Sequence, residues 1–200
     1  MTLFASTPIE NILPYDGHTS YWPDFLTATE ATASYEALLH STEWKHDEAF
    51  IFGRHIITSR KVAWYGDGNF DYAYSKITRT ALPWTTELES VRKRIEIICG
   101  VRFNSCLLNL YHNGTEGMAW HSDDEKCMGA TPFIASLSLG AARRFSFKHK
   151  RSGEKIDILL APGSLLTMKE NTQTNWLHCL PKSARVQHPR INLTFRRFIE

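Results

Sequence analysis

The sequence predicts a mainly β fold with supporting helices, closed as a sandwich, barrel or jelly roll around one core. Three observations carry that expectation. From residue 101 onward, short runs rich in β-branched and aromatic residues recur, separated by Gly and Pro. Ahead of them, only two stretches show helical periodicity. At 200 residues with 42% hydrophobic and 22% charged residues, the chain is long enough for one sizeable core and short for two.

Taken in order, residues 1–25 read as an irregular, Pro-containing arm, and residues 27–41 as a helix ending in "YEALLHS". "AFIFGRHIIT" (49–58) is strand-like, and "WYGDGNFDYAYS" (64–75) is a loop rich in Gly and aromatics. A second helix is expected over 86–99. Thr86 and Glu89 have the spacing of a capping box, and Leu88, Val91, Ile95 and Ile98 mark one face. "RFNSCLLNLYHNG" then reads as a strand running into an Asn-Gly turn. Further strands are expected within "PFIASLSLG", "RRFSFKHK", "EKIDILLAPG", "SLLTMK", "TNWLHCL" and "RINLTFRRF". One domain spans 1–200 on this reading, with an arm and helix over 1–48 and a β core over 101–198.

Charge is uneven along the chain. Residues 1–50 carry eight acids and one Lys, whereas residues 51–200 carry 22 Lys/Arg against 13 acids. Such asymmetry points to a polyanionic partner for the later part, with scattered solvated charge as the alternative. Cys99, Cys106, Cys127 and Cys179 form no Cys-x-x-Cys pair, which argues against a zinc ribbon or a thioredoxin-like motif. There is no signal-like N-terminus and no apolar run of membrane-spanning length. A soluble, unsecreted protein with reduced thiols is expected, acting as a monomer with no membrane partner.

"AWHSDDE" (119–125) places His121 and Asp123 two apart. On an extended strand both would face one side and could converge on an ion. The pair alone is no better than a surface loop. His178, in "TNWLHCL", supplies a third ligand, and two His with one carboxylate make the facial set of non-haem ferrous oxygenases. Zinc hydrolases use the same ligand types, so the metal stays open on these residues, and His112, His149 and His188 compete for the role.

In "RINLTFR", Arg190, Asn192, Thr194 and Arg196 alternate with Ile191, Leu193 and Phe195. Period two places the polar set on one face of the strand. Two arginines facing a core need anions. A small dicarboxylate would meet that need by forked hydrogen bonds. An edge strand with its basic face in water, or on nucleic acid, is the alternative.

His121-x-Asp123, His178 and the Arg190–Arg196 run resemble the AlkB family of Fe(II)- and 2-oxoglutarate-dependent nucleic-acid demethylases. "NLYHNG", "IASLSLGAARRFSFKHK", "GSLLTMK" and "WLHCLPKS" resemble the family core in order and spacing, over about residues 50–198. The resemblance implies a double-stranded β-helix (jelly roll) with Fe(II) held by His121, Asp123 and His178. It implies that 2-oxoglutarate is bound by Asn109, Tyr111, Arg190, Asn192, Thr194 and Arg196, with Arg190 on the distal carboxylate and Arg196 near the chelating one. O₂ is the second cosubstrate, and an N-methyl group would leave as formaldehyde, with succinate and CO₂ as the other products.

The same resemblance makes residues 49–80 a nucleotide-recognition region. Tyr72, Tyr74 and Ser75 would hold the flipped base, Tyr74 stacking opposite His121. Ile51 and Phe52 would fill the gap left in the duplex, and Glu125 would accept from the base's exocyclic amine. Buried structural aromatics and strand core are the bland readings of these positions. Arg54, Lys61, Arg143, Arg144, Lys148, Lys150 and Arg151 are candidates for phosphate contacts. The implied partner is alkylated DNA, single- or double-stranded, and RNA as a further class; the implied compartment is bacterial cytoplasm or a eukaryotic nucleus. The alternatives are the same oxygenase chemistry on another substrate and a non-catalytic jelly-roll nucleic-acid-binding module.

Overall fold

Thirteen strands and three helices follow one another in the computed structural model, which describes residues 7–51, 54–68, 71–74 and 77–199; side chains at 49–51, 54, 56, 71–74 and 77–79 lie outside that description. They are β1 (His18–Trp22), α1 (Ala28–Ser41), β2 (Lys45–Ile51), β3 (Arg54–Gly66), β4 (Asp71–Tyr74), β5 (Ile77–Thr80), α2 (Thr86–Cys99) and β6 (Ser105–Tyr111). Then come β7 (Met118–His121), β8 (Ile134–Gly140), β9 (Arg143–His149), β10 (Lys155–Leu160), β11 (Leu165–Lys169), α3 (Thr172–Asn175), β12 (Trp176–Leu180) and β13 (Arg190–Arg196).

The strands form a seven-stranded sheet, β1-β11-β8-β13-β6-β3-β2, and a four-stranded sheet, β10-β9-β12-β7, with β4-β5 as a separate pair. All named strand pairings are antiparallel. Two apolar clusters account for the layering. Leu38 of α1 and Leu88, Val91 and Ile95 of α2 pack with Cys106, Leu108, Leu110, Ile191, Leu193 and Phe195 of the large sheet. On the sheet's other face, Ile134, Leu166 and Met168 pack with Phe147, Leu160 and Trp176 of the small sheet. The helices therefore cover one face and the small sheet covers the other, which is the jelly-roll arrangement expected.

Period-two alternation on β13 is confirmed. Ile191, Leu193 and Phe195 face the helices, whereas Arg190, Asn192, Thr194 and Arg196 line the space between the sheets. In β6 the even positions face the helices and Leu107, Asn109 and Tyr111 face inward. The register sets Asn192 opposite Asn109 and Arg190 opposite Tyr111.

Three local expectations are corrected. The arm contains a strand, β1, on the edge of the large sheet; "HTSYW" buries three consecutive residues and so shows no period-two signal. Residues 64–66, assigned to a loop, end the 13-residue strand β3, and 71–74 form β4. The capping box belongs to α1, where the Glu30 N–H donates to Thr27 Oγ1 at 3.3 Å and the Thr27 N–H to Glu30 Oε2 at 2.8 Å. The N-cap of α2 is Thr85, one residue earlier than expected, and its hydroxyl accepts from the Leu88 N–H at 3.2 Å. The helix itself covers 86–99 as read from its apolar face.

Candidate metal centre

His121, Asp123 and His178 come together as a cluster whose ligand atoms all lie within 4.8 Å of one another. It is the one such three-residue group among the described residues. Adjacent strands of the small sheet build it: β7 and β12 pair His121 directly with His178, and their rings lie 4.2 Å apart. Asp123 follows the end of β7, and its N–H donates to Gln173 Oε1 at 2.9 Å. The competing histidines are engaged elsewhere or exposed. His112 pairs with Glu116, His149 with Asp16 and Ser152, and His188 is on the surface.

Each member of the cluster is prepared for a cation. His121 Nδ1 lies 2.8 Å from the Ala119 carbonyl. A carbonyl only accepts, so Nδ1 is the donor there and Nε2 is the ring nitrogen turned to the cluster. That Nε2 lies 3.7 Å from Asp123 Oδ1. Burial opposes charge on Asp123, but the Arg196 guanidinium and the two imidazoles outweigh it and hold the carboxyl at about 2. Burial and then the neighbouring His121 push His178 down to about 3. Its imidazole is thus neutral near pH 7, the form that ligates metal. Phe145 lies over its ring at 5.4 Å, nearly parallel.

The cluster opens into a cavity of about 80 Å³, with Asn109, Tyr111, Arg190, Asn192, Thr194 and Arg196 on its large-sheet wall. Leu107, Met118, Phe145, Met168 and Leu180 supply its apolar lining. A single water needs on the order of 10–15 Å³ of such space, so the cavity suits a small molecule. Arg190 is 2% exposed. It donates through Nη2 to Ser138 Oγ at 2.9 Å and Asn192 Oδ1 at 2.7 Å, while its buried Nε has no partner. Among the described residues no carboxylate pairs with it. Burial pulls its pKa down to about 10.

The 2OG-Fe(II) oxygenase superfamily model matches residues 18–196. Human alpha-ketoglutarate-dependent dioxygenase alkB homolog 3 is 40% identical over 185 residues, covering 88% of this chain and 64% of that protein. Mouse DNA oxidative demethylase ALKBH2 is 41% identical over 157 residues, covering 74% and 66%. The chain belongs to the AlkB family of the 2OG-Fe(II) oxygenase superfamily. A solved structure entitled "The structure of OsALKBH1" matches with a TM-score of 0.64 at 14% identity, over 94% of this chain and 99% of that one, which supports the fold. This AlkB-family chain spans about two thirds of the length of the two curated relatives.

Family membership brings Fe(II) as metal and 2-oxoglutarate and O₂ as cosubstrates. The residues fit them. Two imidazoles and an ionised carboxylate suit Fe(II), and a buried guanidinium with an unused N–H suits an anion.

The inward positions were legible in the sequence, but their partners were not. Gln173, 1% exposed, lies in the short helix α3, in a polar stretch between the strands expected within "SLLTMK" and "TNWLHCL". Asp47 and Arg60, which reach the site through Asn109, sit in no periodic pattern. Glu125 is the N-cap of a short 3-10 turn, Lys126–Met128, and is not part of the cavity wall. Phe52 and Ser75 lie outside the described residues, as do the side chains of Ile51, Tyr72 and Tyr74. Arg143, a candidate for phosphate contact, is 1% exposed and donates to the Glu116 and Pro181 carbonyls at 2.8 and 2.9 Å. It staples the loops flanking β7 and β12 together. Of the other candidates for phosphate contact, Arg144, Lys150 and Arg151 are exposed, Lys61 and Lys148 are half-buried, and the side chain of Arg54 lies outside the described residues. Among the described residues no helix is long and apolar enough to cross a membrane.

Proposed function

We propose that this chain is an Fe(II)- and 2-oxoglutarate-dependent oxidative demethylase acting on N-alkylated bases, 1-methyladenine and 3-methylcytosine, in DNA, with RNA as a further substrate. One observation carries the reading: a buried arginine with no carboxylate partner among the described residues lines the same cavity as a His-Asp-His cluster. A dicarboxylate that also reaches the metal satisfies both.

When bound, Fe(II) with 2-oxoglutarate and O₂ supplies oxidation of the N-alkyl carbon, with formaldehyde, succinate and CO₂ as products. His121 offers Nε2, Asp123 offers Oδ1, and His178 offers a neutral imidazole. Arg190 grips the distal carboxylate with Nε, and Asn109, Tyr111, Asn192 and Thr194 line its path. Arg196 acts through Asp123, donating from Nε and Nη2 to Oδ2 at 3.2 and 2.8 Å. Its place is therefore at the metal end of the cavity. Phe145, Met168 and Leu107 exclude water from the reacting centre.

His121, half-buried on the edge strand β7, marks the side from which a base enters. Tyr72, Tyr74 and Ser75 hold that base, Glu125 reads it, and Ile51 and Phe52 fill the space it leaves. The exposed Arg144, Lys150 and Arg151, together with a relative named as a DNA oxidative demethylase, support nucleic acid as the substrate. Four unpaired cysteines support a reducing compartment, bacterial cytoplasm or eukaryotic nucleus, where the chain acts as a monomer.

The test is incubation with Fe(II), ascorbate, 2-oxoglutarate and matched single- and double-stranded oligonucleotides bearing 3-methylcytosine or 1-methyladenine. Repaired base and formaldehyde in equal amounts are expected. Turnover of 2-oxoglutarate with no repaired base in any oligonucleotide would move the chain to another substrate.

A further inference from the structure

Asn109 is held from behind. Its Oδ1 accepts from Arg60 Nη1 at 2.9 Å, and Arg60 Nη2 is ion-paired to Asp47. All three are buried, at 5%, 9% and 8% exposed. The backbone is shaped for this contact. Between the pairs His46↔Lys61 and Glu48↔Ile57 the register of β2 and β3 shifts, so that Asp47 alone stands opposite Thr58, Ser59 and Arg60. Such bulges re-aim side chains. The Thr58 hydroxyl closes this one by donating to the Arg60 carbonyl at 2.9 Å.

The chemistry of the contact fixes the amide. The two ends of a carboxamide are nearly equal in shape, but a guanidinium has donors only. Arg60 therefore accepts nothing and selects the amide oxygen, which leaves the Asn109 NH₂ for the other side, the cavity wall. Among the described residues that NH₂ donates to nothing. Asn192, directly across the register, differs. Its Oδ1 accepts from Ser136 and Arg190, and its Nδ2 donates to Thr194 at 2.6 Å. One asparagine is consumed in tying the wall together, and the other keeps its donors for a ligand.

We infer that Asp47 and Arg60 form a positioning pair that locks the Asn109 amide with its NH₂ toward the anionic cosubstrate. The inference rests on the 2-oxoglutarate reading above. Arg60 is not on the cavity wall. Besides Asn109 it reaches the Met118 sulfur at 3.8 Å, a weak acceptor that cannot orient an amide, so its loss weakens cosubstrate binding by freeing the Asn109 amide to turn.

The probe is 2-oxoglutarate titrated calorimetrically into the full chain loaded with Mn(II), which needs no nucleic acid and no turnover. Arg60→Met is expected to weaken binding on the order of tenfold, with Mn(II) affinity unchanged. In an Asn109→Ala background the same substitution is expected to add nothing, because a residue acting through another shows full coupling in a double-mutant cycle. Arg60→Lys, donor-only like arginine, is expected to bind better than Arg60→Gln, which can present either end of its amide. That ordering stands as the test if Arg60→Met does not fold. Multiplying effects in the double variant, or equal binding by the Lys and Gln variants, would overturn the inference. Failure of the unaltered chain to bind 2-oxoglutarate would instead sink the cosubstrate reading, and this inference with it.

Discussion

Arg196 holds one oxygen of Asp123 and leaves the other to the metal cluster. Its Nε and Nη2 both reach Oδ2, at 3.2 and 2.8 Å, while Oδ1 faces His121 Nε2 at 3.7 Å. A buried carboxylate is thereby kept ionised and its orientation fixed before any cation arrives. Outer partners of metal ligands commonly contribute 10–100-fold in affinity. Arg196→Met is expected to weaken Mn(II) binding by about that factor, read by calorimetry. Unchanged affinity would mean that Asp123 is oriented by other contacts.

Gln173 supports the same ligand through the backbone, accepting the Asp123 N–H. Gln173→Leu leaves that buried N–H without its acceptor, a loss of roughly 1–3 kcal/mol. Urea unfolding of the metal-free protein is expected to show it, together with weaker Mn(II) binding. A stability change with metal affinity intact would assign Gln173 to the fold alone.

Arg190 carries a different expectation. Replacing a buried ion by an apolar side chain of similar volume is often neutral or stabilising. Arg190→Met is expected to leave the thermal midpoint of the ligand-free protein unchanged or higher. The rise caused by 2-oxoglutarate should disappear; in the unaltered protein a ligand at a hundred times its Kd adds about 2.7 kcal/mol. A midpoint shift retained in the variant would remove Arg190 from the cosubstrate site.

The helix starts can be tested by stability. Thr27→Ala and Thr85→Ala each remove an N-cap and are expected to cost about 1 kcal/mol in urea unfolding, whereas Thr86→Ala, inside α2, costs less. The reverse order for Thr85 and Thr86 would restore the cap first read from the sequence.

What the sequence made legible was what repeats along it. Alternation placed Arg190, Asn192, Thr194 and Arg196 on one face of β13, and that is where they lie. The apolar spacing of Leu88, Val91 and Ile95 located α2, although two adjacent threonines left its cap ambiguous by one residue. Contacts between distant strands carry no such period. The pairing of Asp47 with Arg60, the reach of Gln173 to Asp123, and β1 on the sheet edge depend on register and on a bulge, which no local pattern records. Arg143 shows the converse failure. In "ARRF" it is one of two adjacent cations, yet the pleat turns one inward to backbone carbonyls and the other to solvent.

The most direct measurement is an anaerobic titration of 2-oxoglutarate into the Fe(II)-loaded chain, followed by the visible charge-transfer absorption that 2-oxoglutarate chelated to Fe(II) produces. One equivalent is expected to saturate the band in the unaltered protein. Asp123→Ala should show no band, and Arg190→Met should need at least about a hundredfold more 2-oxoglutarate, equivalent to ~2.7 kcal/mol. A band that forms with unchanged affinity in Arg190→Met, or persists in Asp123→Ala, would contradict the claim that these residues form one iron and 2-oxoglutarate centre.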